Sequence, residues 1–223
     1  MKTKVITILI ILILIALAVF SPWRNLNINL GNIFGVKNTS ETSTLEVSSL
    51  GGKLKVFLDN NEVGSTNFQD PKLEISPITA GNHTLKLMRD SDVSYPSFEK
   101  TILFAPGISS SISYELGLSE DISNGWLIVP VKKVVKTTST DTDITFRVLP
   151  EDSVLSINGE KKDSKVVKLD PKTKYDVRIT KDGFLPLSFQ ILGFDDSKIK
   201  QSSEYEYIVD VKLGSIPLKV ESK

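Results

Sequence analysis

The sequence predicts an all-β protein: two tandem β-sandwich domains preceded by a single N-terminal transmembrane helix. Three observations carry this. Between Thr44 and Leu213, short runs alternate apolar and polar residues with period two, the pattern of strands with one buried face. Gly, Pro, Asn and Asp separate these runs at intervals of about ten residues, as sandwich strands require. Val5 to Phe20 is the third: an unbroken apolar run with Thr7 as its only polar side chain.

Lys2 and Lys4 precede that run. A helix rises about 1.5 Å per residue, so Val5–Phe20 covers roughly 24 Å. A bilayer core is about 30 Å thick. Ser21, Pro22 and Trp23 bring the span close to that length, with the Trp23 indole in the far interface and Arg24 beyond it. The lysines place the N-terminus in the cytoplasm and the bulk of the chain outside the cell membrane. A cleavable signal peptide is the competing reading, since Ala16-Leu17-Ala18 offers a small-x-small site. That site lies inside the apolar run with no polar stretch before it, which favours a retained signal-anchor over residues 1–23. Only four residues precede the span, too few for a cytoplasmic output domain. Residues 24–42 form a spacer rich in Asn, Gly, Ser and Thr, with Leu26, Ile28 and Leu30 alternating in it.

The first sandwich is expected over residues 43–136, with its core repeat in 43–118. Leu45 and Val47 alternate with polar neighbours, and so do Leu54, Val56 and Leu58. Asp59-Asn60-Asn61 then turns the chain, because Asn and Asp tolerate the left-handed backbone. Pro71 and Pro77 break the next stretch, and Ala80-Gly81-Asn82 turns into a strand carrying His83, Leu85 and Leu87. Ser94-Tyr95-Pro96 is a further break. Ile102 and Phe104 precede Pro106-Gly107, and Ile108, Ile112, Tyr114 and Leu116 mark the next strand. Trp126 to Val135 reads as one more strand. Pro130 within it predicts a sheet edge, since proline donates nothing to a ladder.

Residues 137–142 are expected to link this domain to a second over 143–223. There Ile144, Phe146 and Val148 alternate, Pro150 to Ser153 turns, and Val154–Ile157 runs into Asn158-Gly159, the strongest short hairpin signal. Asp170-Pro171 turns into the Tyr175–Ile179 run, and Asp182-Gly183 separates that run from Leu185–Ile191. Tyr205, Tyr207, Val209, Val211 and Leu213 give the longest alternation in the chain. The order of strands and turns repeats that of the first half, so two copies of one unit is the economical reading.

Composition removes several function classes. Lys+Arg and Asp+Glu both number 27, so no basic excess exists to release counterions from a nucleic acid. Cysteine is absent, which excludes disulfides, thiolate metal sites, cysteine nucleophiles and cysteine-linked lipid. An exported domain without disulfides rests on its hydrophobic core.

At the turns the chain resembles the PEGA domain family of small, Ig-like β-sandwich modules. Leu50-Gly51-Gly52-Lys53 stands at the naming turn of the first copy, and Asp59-Asn60 at its hairpin. Gly64-Ser65-Thr66 matches Gly-x-Thr, and Gly81-Asn82-His83 matches Gly-x-His. In the second copy Pro150-Glu151-Asp152-Ser153 keeps the Pro-Glu pair, Asn158-Gly159 is the hairpin, and Lys181-Asp182-Gly183-Phe184 fits Lys-x-Gly-aromatic. Neither copy keeps the Gly-Ala of the naming turn. The first lacks a clear Lys-x-Gly-Tyr and the second lacks Gly-x-His. The resemblance covers residues 43–118 and 142–213. It implies extracytoplasmic, non-enzymatic modules of the cell envelope, often beside a membrane span.

Motifs for chemistry are sparse. His83 is the only histidine, so a histidine-based metal or catalytic site lacks partners, and a packed strand residue is expected. Asp141, Asp143, Asp195 and Asp196 do not show the ligand spacing of a calcium loop. No phosphate-binding loop and no nucleophile elbow occur. No catalytic residue, metal or cofactor is expected. Asn38-Thr39-Ser40 and Asn82-His83-Thr84 match the glycosylation acceptor pattern. Aromatic residues are the better lead to a contact surface. Trp126 and Tyr95 are the candidates singled out, Trp126 as a surface or interdomain residue. The expected function is display of two β modules for contact with an envelope polymer or envelope protein. A released glycan- or cell-wall-binding protein, or an accessory or sensor subunit of a membrane complex, are the alternatives.

Overall fold

The computed structural model describes residues 42–49, 51–133, 142–170, 173–191 and 205–216. The expected span Val5–Phe20, nearly all of the spacer and most of the linker lie outside them. So do Asp141, Asp195, Asp196 and Asn38-Thr39-Ser40. Among the described residues no helix is long and apolar enough to cross a membrane.

The described chain is all-β and forms three sheets. The first half contributes β1 (Thr42–Ser48), β2 (Leu54–Leu58), β3 (Asn61–Ser65), β4 (Lys72–Thr79), β5 (Gly81–Arg89), β6 (Phe98–Phe104) and β7 (Ser109–Glu115). A 3-10 turn, Glu120–Ile122, leads into β8 (Asn124–Lys132). The second half contributes β9 (Thr142–Leu149), β10 (Val154–Ile157), β11 (Glu160–Lys162), β12 (Val166–Leu169), β13 (Tyr175–Thr180), β14 (Leu187–Ile191) and β15 (Tyr205–Lys212). Two small sheets have the orders β3-β2-β5-β6 and β11-β10-β13-β14, and the third is a seven-stranded sheet ordered β12-β9-β15-β8-β7-β1-β4.

The two halves share one connectivity. In each, the first strand pairs antiparallel with the fourth and parallel with the seventh, β1 with β4 and β7, β9 with β12 and β15. Their hairpins agree in atomic detail. Asp59 and Asn60 have φ of 50° and 66°, and Asn158 and Gly159 have φ of 51° and 80°, as a two-residue turn with both central residues left-handed requires. The first turn residue then clasps the start of a neighbouring strand twice. Asp59 N donates to Thr84 O at 2.9 Å and Asp59 Oδ1 accepts from Thr84 N at 2.9 Å. Asn158 repeats both bonds with Asp176, at 2.8 Å each.

β8 is the fourth of seven strands, the middle of the large sheet. It pairs antiparallel with β7 on one side and with β15 on the other. The edge expected at Pro130 is therefore not found. Proline is tolerated because the β7–β8 register ends at Ser111/Ile128, short of Pro130, while β15 continues past it at Tyr207. The missing donor falls where the strand locally has one partner. The second expected break, Pro77, lies inside β4 rather than ending it, and β4 is an outer strand, where proline is allowed. Thr42 and Thr142, placed by sequence in the spacer and the linker, begin strands β1 and β9.

Alternate residues of a strand face opposite sides of the sheet, and β8 uses both. Leu127 and Val129 enter one hydrophobic core with Leu45, Val56, Leu85, Phe104 and Ile112. Trp126 and Ile128 pack on the other, with Phe146, Leu155, Ile179, Phe189 and Val209. β15 divides the same way, with Tyr207, Val209 and Val211 in the second core and Ile208 against the first. The small sheets thus cover opposite faces of the seven-stranded sheet, displaced to opposite ends. β7 and β15 run parallel, each antiparallel to β8, so a half-turn about the β8 axis relates the two halves. Ala105 and Ile108, from the β6–β7 connection, belong to the second core although the first half supplies them.

Candidate functional site

The displacement of the small sheets leaves part of the large sheet uncovered, and a cleft of about 990 Å³ opens there. Its wall is Pro96 to Lys100, the approach to β6 and its first three residues. Its floor is the outward face of β9 and β15, with Arg147, Leu149, Asp210 and Lys212, and its end is closed by Leu116, Glu120 and Ser123. Period-two alternation sets the floor. On β9, Phe146 and Val148 are buried in the second core, so Arg147 and Leu149 face the other way. On β15, Val209 and Val211 are buried, so Asp210 and Lys212 face the cleft.

Ion pairs hold the wall to the floor. Lys100 Nζ lies 2.5 Å from Asp210 Oδ2, joining β6 to β15. Lys212 Nζ lies 3.3 Å from Glu120 Oε1, joining β15 to the 3-10 turn. That turn is shaped by Ser123, whose hydroxyl donates to Ser119 O and accepts from Gly117 N, both at 3.0 Å. Beyond β15, Ser215 N donates to Asp121 O at 2.9 Å, so the stretch after β15 and the turn brace each other.

The remaining charges differ in kind. Lys165 Nζ donates to Ser153 O at 2.7 Å, and burial pushes its pKa below the usual lysine value. Burial raises the Tyr114 hydroxyl to about 12, with the Glu120 carboxylate adding to the effect. That phenol stays neutral at any physiological pH. Arg147 is exposed and makes no ion pair with any acidic group among the described residues. Leu149 beside it is 59 % exposed. The arrangement offers a guanidinium and an apolar patch on a rigid sheet face, which suits recognition.

The sequence-selected aromatics lie elsewhere. Trp126 is half-buried and stacks on Phe189 of β14, ring centroids 4.9 Å apart and planes inclined by 23°. It joins the central strand to the second core. Tyr95 precedes Pro96 of the cleft wall, and its ring is covered by the Arg89 guanidinium at 4.7 Å. Arg89 also donates to Glu115 Oε1, Leu116 O and Gly51 O, each at 2.7 Å. That group pins the turn at Gly51-Gly52 to the end of β7. His83 lies on β5 with Nδ1 at 2.6 Å from Asp59 Oδ2 and Nε2 at 2.9 Å from Thr79 O, its ring edge against Phe104. Val5 and Phe20 lie outside the described residues. Among the described residues no group of three or more His, Asp or Glu is placed to hold a metal ion.

Sequence reasoning did not single out Arg147, Leu149, Asp210 or Lys212 as a site. Their outward positions were visible in the alternation of β9 and β15. What could not be seen was that β6, from the other half, stands over them. Compared with known proteins, the chain matches no family model, and no curated protein matches it.

Proposed function

We propose that this is a non-enzymatic, membrane-anchored extracytoplasmic protein that displays two PEGA-like, Ig-like β units and binds an envelope component through the cleft between them. The single observation that carries the reading is the cleft's construction. It is walled by one half, floored by the other, and braced by Lys100–Asp210 and Lys212–Glu120. Such a site is preformed, and binding to it costs little ordering entropy. The shared sheet supports display of a rigid platform rather than two modules on a string. The N-terminal apolar run supports attachment, and the turn motifs support the family reading.

Retention assays test this. The full chain, purified in detergent and immobilised, is incubated with peptidoglycan, a glycan panel and envelope protein extract. Retention of one class is the expected result, and Arg147→Glu reduces it. Retention of nothing argues against the binding role, and hydrolysis of any glycan overturns the non-enzymatic assignment. Intact mass of the mature chain decides attachment, since loss of about eighteen residues would make it a released protein.

A further inference from the structure

We propose that the cleft takes an extended peptide segment of a partner protein, added as a strand along the free edge of β6, with one acidic side chain on Arg147. The proposal rests on the binding role given above and names the ligand class.

β6 is the outer strand of its sheet, so only β5 occupies its ladder. Its other edge carries backbone N–H and C=O groups available to an added strand. The stretch Pro96–Lys100 brings that edge to the cleft wall. A chain laid there turns alternate side chains to the floor, about 6.6–6.8 Å apart. Arg147 and Leu149, two positions apart on one strand face, repeat that spacing. A segment running in the direction of β9 therefore presents a carboxylate to Arg147 and, two positions on, an apolar side chain to Leu149.

Charge selects the first of these. Asp210 is engaged by Lys100 and Glu120 by Lys212. Lys165 is part-buried, with one donor on the Ser153 carbonyl. Arg147 is the exposed cation with no acidic partner among the described residues, and its planar fork suits a bidentate carboxylate. Glu151 also lines the cleft and disfavours a second carboxylate beyond Leu149, so the pattern is one acid rather than a run. A sugar is a poorer fit. Phe98 and Tyr114 pack on each other with ring centroids 4.6 Å apart, which engages the faces a pyranose would stack on.

Fluorescence polarisation on the full chain in detergent tests this with the labelled probe Ac-Ser-Thr-Glu-Thr-Val-Thr-Ser-NH2. The expected result is saturable binding, weakened about tenfold or more by Glu→Gln in the probe or by Arg147→Gln in the protein. N-methylation of alternate probe residues weakens it similarly, because strand addition is lost. Arg147 is exposed, so an unchanged melting temperature confirms that Arg147→Gln stays folded. Equal binding of the Glu and Gln probes overturns the acid–Arg147 assignment, and equal binding of the N-methylated probe overturns strand addition. Oligogalacturonate bound through Arg147 in place of the peptide overturns the peptide class. Retention of an envelope component with no probe binding sinks this inference alone, while failure of both sinks the binding role as well.

Discussion

A cavity cut into one core should weaken both halves equally, because β8 and β15 belong to both. Leu85, in the first core, and Leu155, in the second, are each fully buried. Truncating a buried leucine to alanine costs about 2–5 kcal/mol in lost transfer energy and residual cavity. A protein of this size loses roughly 2–4 °C of melting temperature per kcal/mol. Each variant should then melt about 8–16 °C lower, taking ~4 kcal/mol as typical. The question is whether one transition moves or two separate. Unfolding the second half alone would strip β8 of its pairing with β15, from Tyr205↔Lys132 to Lys212↔Gly125. That ladder holds on the order of eight hydrogen bonds at a net ~0.5–1.5 kcal/mol each. It would also expose the Trp126 and Ile128 face and remove Ala105 and Ile108 from their core. The half-folded state is thus disfavoured by several kcal/mol, comparable to the stability of a whole domain. Differential scanning calorimetry of the full chain should show one transition from the β region, and both Leu85→Ala and Leu155→Ala should shift it as a unit. Two transitions, with each variant moving only its own, would refute the coupling.

Other positions give independent outcomes. Arg89→Ala should cost about 2–4 kcal/mol in urea unfolding, because it leaves the largely buried Glu115 carboxylate and the Leu116 and Gly51 carbonyls without their donor. Arg89→Lys should recover only part of this, since a single ammonium cannot reproduce the fork. Asp59 is held below its ordinary value of 3.8 by its hydrogen bond to His83 and then by the Thr84 amide. A depressed carboxylate contributes stability that is full above the unfolded value and lost as pH falls through the folded one. Asp59→Asn should therefore flatten the fall in stability between neutral pH and pH 2, followed by circular dichroism. An unchanged acid limb would contradict the pairing. Gly125→Ala should be among the most damaging single-methyl additions, since a Cβ there would come within 2.4 Å of Ser113 O and 2.7 Å of Tyr114 Cα. Those are backbone atoms that cannot step aside, and a loss of at least ~1–3 kcal/mol is expected from thermal melts.

Strand identity was legible because burial on one face writes itself as alternation. Leu45 and Val47, Leu85 and Leu87, and Tyr207, Val209 and Val211 are all buried as the period required. Hairpins were legible for a local reason too, since Asp59-Asn60 and Asn158-Gly159 are the residues that accept a positive φ. Pro77 and Pro130 misled because proline forbids a neighbour only where its own missing donor points. Whether a partner strand reaches that point is a property of register, which distant residues set. The cleft was illegible for the same reason. Lys100 and Asp210 are 110 positions apart, and nothing near either announces the other.

β8 itself carried a signal that the proline obscured. A strand at an edge, or with one wet face, alternates apolar with polar. Trp126 to Val131 instead reads W-L-I-V-P-V, apolar at every position, which is the pattern of a strand covered on both faces. Leu127 and Val129 serve one core and Trp126 and Ile128 the other, so the run is continuous because two cores claim alternate residues of one strand. The same strand explains why a repeat of seven strands needs an eighth. β7 and β15 run parallel, and each can take β8 as an antiparallel neighbour. One strand inserted between two copies therefore closes both inner edges at once. It places the copies on opposite faces, and it leaves β6 of one standing over β9 and β15 of the other. The cleft follows from that geometry and from no single motif, and its chemistry, an exposed Leu149 beside an Arg147 with no acidic partner among the described residues, lies on strand positions that either copy alone would have turned to open solvent.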